Sequence, residues 1–152
     1  MSLAKRGTQE SWSSFRLGAS MTTHSDLSPR LIALSARIIL LLDHLPSTKA
    51  AREIEGQLIR SGMGVGSNYN EARGADSRAD FCHKLQIALK EMRETHYWLC
   101  VIEKAELVAD PRHLASLLDE ATQLRAILGK SVATARGKAR SSREQPDLSP
   151  AG

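Results

Sequence analysis

Arg60-Ser61-Gly62-Met63-Gly64-Val65-Gly66-Ser67-Asn68-Tyr69-Asn70-Glu71-Ala72 places three glycines inside a stretch whose flanks read as helix. Each glycine costs roughly 1 kcal/mol against alanine in a helix interior, so three cost roughly 3 kcal/mol of a net stability of about 5 to 15. Two arrangements justify such a cost: a loop that grips a ligand, or a second backbone packed very close. Gly-x-Gly-x-Gly is neither the Gly-x-Gly-x-x-Gly dinucleotide fingerprint nor a Walker loop, and no strand pattern precedes it. Gly62 and Gly66 are four apart, so on a helix they share one face and open a smooth patch for a neighbouring helix. The spacing therefore favours close packing over a phosphate cradle.

Working outward, residues 50–73 form a helix with two stripes at spacings of three and four. One stripe is Ile54, Leu58, Gly62, Val65, Tyr69 and Ala72, and the other is Ile59, Met63, Gly66 and Asn70. Two stripes imply two partners. Upstream, Ser28-Pro29 announces a helix by a cap followed by proline at the first helical position, and Pro46 stops it, giving residues 29–45. Its apolar residues Leu31, Ile32, Leu34, Ile38, Ile39, Leu40, Leu41, Leu42 and Leu45 occupy nearly every side of the wheel. Such a helix is buried on several faces, and in a chain this small that requires a second subunit.

Downstream, Ser77 caps a third helix over residues 77–107, with the stripe Phe81, Leu85, Ala88, Met92, Thr95, Leu99 and Ile102. Asp110-Pro111 repeats the cap-then-proline device for a fourth helix over 111–136, fading at Gly137. Connections of a few residues force neighbouring helices to run antiparallel, so the fold class is an all-α, up-down-up-down four-helix bundle over residues 28–137. Residues 1–27 read as a disordered extension, with Met21 as an alternative start. Residues 138–152 are polar, carry two prolines and read as a disordered basic tail.

Composition agrees with a single helical domain. The 152 residues are 41% apolar and 25% charged, and aromatics make up only 4%, so Leu, Ile, Val and Ala must fill the core. Cys82 and Cys100 are eighteen residues apart on the third helix, a rise of about 27 Å that no intrachain disulfide spans. Unpaired thiols point to a reducing compartment, most simply the cytoplasm. The most apolar run, Leu31 to Leu42, is broken by Ser35 and Arg37 and falls short of the roughly 20 residues needed to cross a bilayer. No membrane association is expected. Residues 1–20 are Ser-rich with few acids, a faint resemblance to a transit peptide, but they lack the apolar run of a secretory signal.

The net charge of +4 is unevenly spread. Residues 1–28 carry +1, and residues 29–128 hold thirteen basic and thirteen acidic side chains, so the bundle body is formally neutral. Residues 129–152 carry Lys130, Arg136, Lys138, Arg140 and Arg143 against Glu144 and Asp147, for +3. Those five cations are the candidate nucleic-acid-binding residues, against the plainer reading of a solubilising tail. The tail has no aromatic side chain for base stacking, which argues against sequence-specific recognition of a single strand.

Arg60-Ser61-Gly62-x-x-Val65-Gly66-x-Asn68-x-x-Glu71-Ala72, then Ser77, Asp80-Phe81, Lys84-Leu85, Ile87-Ala88-x-Lys90-Glu91 and Glu94-Thr95-x-Tyr97-Trp98-Leu99, resemble the bacterial four-helix-bundle proteins. These are also called the 23S rRNA intervening-sequence proteins or S23 family. The resemblance covers most of residues 29–128 and is densest over 58–99; neither tail is covered. It implies an antiparallel bundle that assembles into a homopentamer. Some members are encoded within intervening sequences of ribosomal RNA genes. A related branch, the accessory variability determinant of diversity-generating retroelements, binds a reverse transcriptase and nucleic acid. That branch has a strongly basic bundle, whereas the body here is neutral. In a pentamer, five tails of +3 would together present +15, and such multivalency multiplies a weak phosphate contact.

Enzymatic chemistry finds little support in the residues. A di-iron bundle needs Glu-x-x-His on two helices, whereas the residues three before His44, His83, His96 and His113 are Leu41, Asp80, Arg93 and Asp110. No metal and no cofactor is expected, and His96 reads as a core or interface histidine. Arg60, Asn68, Glu71, Lys90, Glu91 and Glu94 are expected to form an inter-helix or inter-subunit polar network that fixes register; a binding groove or a catalytic carboxylate pair are the sharper alternatives. The expected function is a non-enzymatic, homo-oligomeric accessory protein associated with RNA or DNA through its basic tails. The alternative is an assembly scaffold for an unidentified protein partner.

Overall fold

The helix over Ser28–Leu42 (α1) begins with proline in its first turn, as the sequence suggests, but Ser28 is not its cap. Asp26 Oδ1 accepts the Ser28 backbone N–H at 2.8 Å. The Ser28 hydroxyl is turned sideways, donating to Asn70 Oδ1 at 2.8 Å and accepting from Arg73. A serine next to a proline is free to serve either use, and here a neighbouring helix end captures it. The computed structural model describes residues 26–144; residues 1–25 of the expected N-terminal extension and residues 145–152 of the expected tail lie outside the described residues.

Three further helices complete the described residues: Lys49–Arg73 (α2), Arg78–Lys104 (α3) and Pro111–Glu144 (α4). Thr48 caps α2 by accepting from the Ala51 N–H, and Ser77 caps α3 by accepting from the Asp80 N–H, both at 3.1 Å. Asp110 accepts the Arg112 N–H and ion-pairs with its guanidinium; those hydrogen bonds hold the Asp110 carboxyl down at about 2. The third helix ends at Lys104, short of the expected residue 107. Glu106 takes a left-handed φ of 51°, and the Leu107 N–H reaches back to Ile102 O at 3.2 Å while the Glu106 N–H reaches Glu103 O. That is a Schellman stop, which sequence reading finds through glycine and misses when glutamate occupies the position.

α4 departs from expectation in the other direction. It continues through Gly137 to Glu144, so Lys138 and Arg140 stand on a helix rather than in a disordered tail. One exposed glycine costs about 1 kcal/mol and does not end a helix rich in Ala, Arg and Lys. Val132 and Ala135 are buried in the turns before Gly137; beyond it Lys138, Arg140 and Ser141 are exposed.

The helices close on one core. α1 packs on α2 and α4, and α3 packs on α2 and α4, with the α2–α3 seam the most extensive. Leu31, Leu34, Ile38 and Leu41 of α1 meet Leu58 and Val65 of α2, Leu85, Met92, Leu99 and Ile102 of α3, and Leu117, Leu124 and Leu128 of α4. The class is an all-α four-helix bundle. On α2 the two stripes separate as expected: Leu58, Gly62, Val65 and Ala72 are buried, while Ile59 is 43% exposed. α1 likewise leaves Ile32 and Ile39 outside, 65% and 53% exposed. No helix among the described residues is long and apolar enough to cross a membrane, and both cysteines are free.

Candidate nucleic-acid interface

The three glycines of α2 play different parts. A Cβ built on Gly62 would lie 2.5 Å from Ile38 Cδ1, so α1 packs closely on α2 here and a larger residue requires the end of the Ile38 side chain to move. The Ser35 hydroxyl marks the same approach by donating to Gly62 O at 3.2 Å. At Gly66 a Cβ would make an ordinary 3.7 Å contact with Leu31, so this position is adjacent to α1 without being tight. Gly64, which belongs to neither stripe, faces α3, where a Cβ would meet Glu91 Cγ at 3.1 Å.

The six polar residues expected to form a network do not join one another within the subunit. Arg60 donates to Gln57 and Asn68 to Gly64 O, each within α2, at 2.9 and 2.8 Å. Glu71 and Lys90 are exposed, and Glu91 and Glu94 are half-buried without an ion pair among the described residues. These groups stand on facing helices, yet no ion pair forms between them among the described residues. Other residues make the pairs that do form: Arg30 of α1 makes a bidentate bond with Glu120 of α4 at 2.8 and 2.9 Å, and Arg73 pairs with Asp26.

The C-terminal cations ride on α4. Lys130, Arg136, Lys138 and Arg140 are exposed on its surface; the side chain of Arg143 lies outside the described residues. At 100° per residue, Arg136 and Arg140 share a stripe with Arg125 and Gly129, all within about 60° of arc. Lys130 and Lys138 point elsewhere on the wheel.

That stripe borders a groove that sequence reasoning misses. Leu89 and Arg93 of α3 and Arg125, Ala126 and Gly129 of α4 line an open groove of about 480 Å³. Its geometry is set by His96. Arg125 Nη1 donates to His96 Nδ1 at 3.2 Å, which leaves Nε2 to carry the proton and donate to Thr122 Oγ1, also at 3.2 Å. The Thr122 hydroxyl passes its own hydrogen to Leu118 O at 2.8 Å. The imidazole is thus neutral, and its pKa is pushed below the ordinary histidine value by burial and then by the Arg125 charge. A faint signal does exist in the sequence: Arg125, Arg136 and Arg140 recur at intervals of eleven and four, both of which return to the same helix face. Among the described residues no group of three His, Cys, Asp or Glu side chains could hold a metal ion.

A four-helix bundle with a formally neutral body and exposed cations along its last helix defines the class of protein. A model of the 23S rRNA-intervening sequence protein family matches residues 26–130. The chain belongs to that family. Among solved structures it resembles a protein of unknown function from the S23 ribosomal protein family of Bacteroides thetaiotaomicron VPI-5482. The two are 32% identical with a TM-score of 0.64, over 70% of this chain and 98% of that one. No curated protein matches the chain.

Proposed function

We propose that this chain is a non-enzymatic, homo-oligomeric accessory protein that associates with RNA in the cytoplasm. The observation that carries the reading is the segregation of charge: residues 29–128 are formally neutral, while residues 129–152 carry +3, and Lys130, Arg136 and Arg140 stand exposed on α4. The family's description, a protein of 23S rRNA intervening sequences, supports RNA as the polyanion. Phosphate contact of this kind needs only cations at suitable spacing, and it requires no catalytic group.

An up-down-up-down course is supported by the register of the cross-helix bonds, which pair Ser28 with Asn70 and Ser35 with Gly62. Assembly of several copies, five by family resemblance, is supported by Ile32, Ile39 and Ile59, large aliphatic side chains left outside a core that is otherwise closed. The half-buried Glu91 and Glu94, which form no ion pair among the described residues, fit contacts between subunits better than contacts within one.

A scaffold for a protein partner is the second reading, favoured by a shallow apolar surface formed by Tyr97, Cys100, Val101 and Ala105, with Tyr97 59% exposed. Purification of the tagged full chain from its host, with and without ribonuclease, separates the two. Co-purifying RNA that ribonuclease removes supports the accessory role. A single stoichiometric protein that survives ribonuclease, with no RNA present, supports the scaffold and contradicts our reading.

A further inference from the structure

We infer that the groove between α3 and α4 is a phosphate-binding track. In it Arg93 and Arg125 grip the phosphodiester backbone of a nucleic-acid strand, and Arg136 and Arg140 extend the grip along α4. The inference rests on the RNA-associated reading above and adds to it a site within the neutral body.

Two arginines from different helices converge on this groove, one of them oriented by a neutral ring. Four cations of the bundle meet carboxylates, Arg30 with Glu120, Arg73 with Asp26, Lys84 with Asp80 and Arg112 with Asp110, while others such as Arg52 and Arg60 donate to Ser47 O and Gln57. Arg93 and Arg125 pair with no carboxylate among the described residues. The nearby acids are turned away or engaged. Asp119 and Glu120 lie well over 90° around α4 from Arg125 by helical periodicity; Asp119 accepts from Gln123, and Glu120 is held by Arg30. Glu94 follows Arg93 but projects about 100° away from it. A body that is neutral in total is therefore not neutral along this seam.

The partner chosen for Arg125 is informative. A carboxylate would orient the guanidinium and cancel its charge, whereas the neutral imidazole of His96 orients it through one hydrogen bond and leaves the charge for an outside ligand. His96 is itself fixed by Thr122, so the guanidinium is held before any ligand arrives. Ala126 and Gly129 give the α4 side of the groove small residues, and a Cβ on Gly129 would meet nothing within 4 Å, so a sugar–phosphate chain has room to lie close. None of the lining side chains is aromatic, so the track recognises phosphate and not base identity. From Arg125 to Arg140 the stripe extends about 22 Å along α4, long enough for several consecutive phosphates of one strand.

The test is fluorescence anisotropy of a labelled 20-nucleotide RNA with the full chain, repeated over a salt series. Arg93→Gln/Arg125→Gln is compared with Lys49→Gln/Arg52→Gln, which removes two positive charges from the start of α2. Losing two single-strand phosphate contacts flattens the slope of log affinity against log salt by about 1.4 and weakens binding about 25-fold at 0.1 M salt. The α2 variant leaves both nearly unchanged. Arg93→Gln alone, at an exposed position without a bond to lose, gives about half the effect with native helicity, which guards against misfolding. DNA of the same sequence loses affinity in parallel, because phosphate is common to both. If the wild type binds but the groove variant matches the α2 variant, or if the loss is confined to RNA, the track is refuted while RNA association stands. If the wild type does not bind at all, both fall.

Discussion

Replacing Gly62 by alanine inserts a methyl group where the structure has no room for one. The added Cβ lies 2.5 Å from Ile38 Cδ1, about 1 Å inside the 3.5–4.0 Å of normal carbon contact. Ile38 is fully buried, so its terminal methyl has to shift within the core. Rotating its terminal methyl out of a staggered well costs about 0.5–1.5 kcal/mol, and overpacking a filled core typically costs about 1–3 kcal/mol. Alanine returns about 1 kcal/mol of helix propensity, so Gly62→Ala should destabilise by about 0–2 kcal/mol. Gly56 is the internal control, since a Cβ there meets nothing within 4 Å; Gly56→Ala should stabilise by about 0.8–1 kcal/mol. The gap between the two variants, about 1–3 kcal/mol, measures the close approach of α1 to α2. Ile38→Val deletes the offending Cδ1, so in the double variant the two changes should couple favourably by about 1 kcal/mol or more. Urea unfolding followed by far-UV circular dichroism, at one fixed protein concentration because assembly would shift the midpoint, reads all four variants. If Gly62→Ala stabilises as much as Gly56→Ala, or if Ile38→Val does not alter its effect, the close-packing argument is wrong.

Other parts of the molecule make their own predictions. Glu106→Gly should stabilise by about 1 kcal/mol in the same assay, because φ of 51° suits glycine and strains glutamate; a loss of stability would contradict the strain. His96 has a folded pKa below the ordinary 6.5, so as pH falls the unfolded chain takes up this proton first, and the stability that the neutral ring contributes is complete above pH 6.5. It declines as pH falls from 6.5 through the lowered folded value, and the wild type should lose this part of its acid sensitivity on His96→Asn; identical pH profiles would refute the neutral imidazole. Ile39→Asp alters a side chain 53% exposed in the subunit, so helicity should survive while light scattering on a sizing column reports a smaller particle. An unchanged mass, or a wild type that is already monomeric, would remove the α1 face as an assembly surface.

The bundle is legible because its signals are local. Proline at 29 and 111, serine at 77 and the three-four spacing of Leu58, Gly62, Val65 and Ala72 each act within a turn or two of chain, and the structure uses them nearly as read. The misjudged ends show where locality fails. α3 stops at a glutamate in a left-handed conformation that carries no sequence mark. α4 continues past an exposed glycine, a penalty of about 1 kcal/mol that does not by itself stop a helix rich in Ala, Arg and Lys. Site residues are harder still. Arg60, Asn68, Glu71, Lys90, Glu91 and Glu94 group by helix and charge, yet whether two long side chains meet depends on their heights along packed helices, which spacing within each helix does not fix. Arg125 gains its significance only from His96, a partner twenty-nine residues earlier in the chain. Summed charge also conceals the basic seam, since thirteen cations against thirteen anions says nothing about which of them touch.

The central claim, that this bundle holds nucleic acid through unneutralised arginines, is tested most directly by the salt dependence of RNA binding to the unmodified full chain. Four contacts from Arg93, Arg125, Arg136 and Arg140 predict a slope of log affinity against log salt of about −3 for a single strand, steeper if several subunits engage one molecule. A slope near zero, or no saturable binding at low salt, would contradict the account.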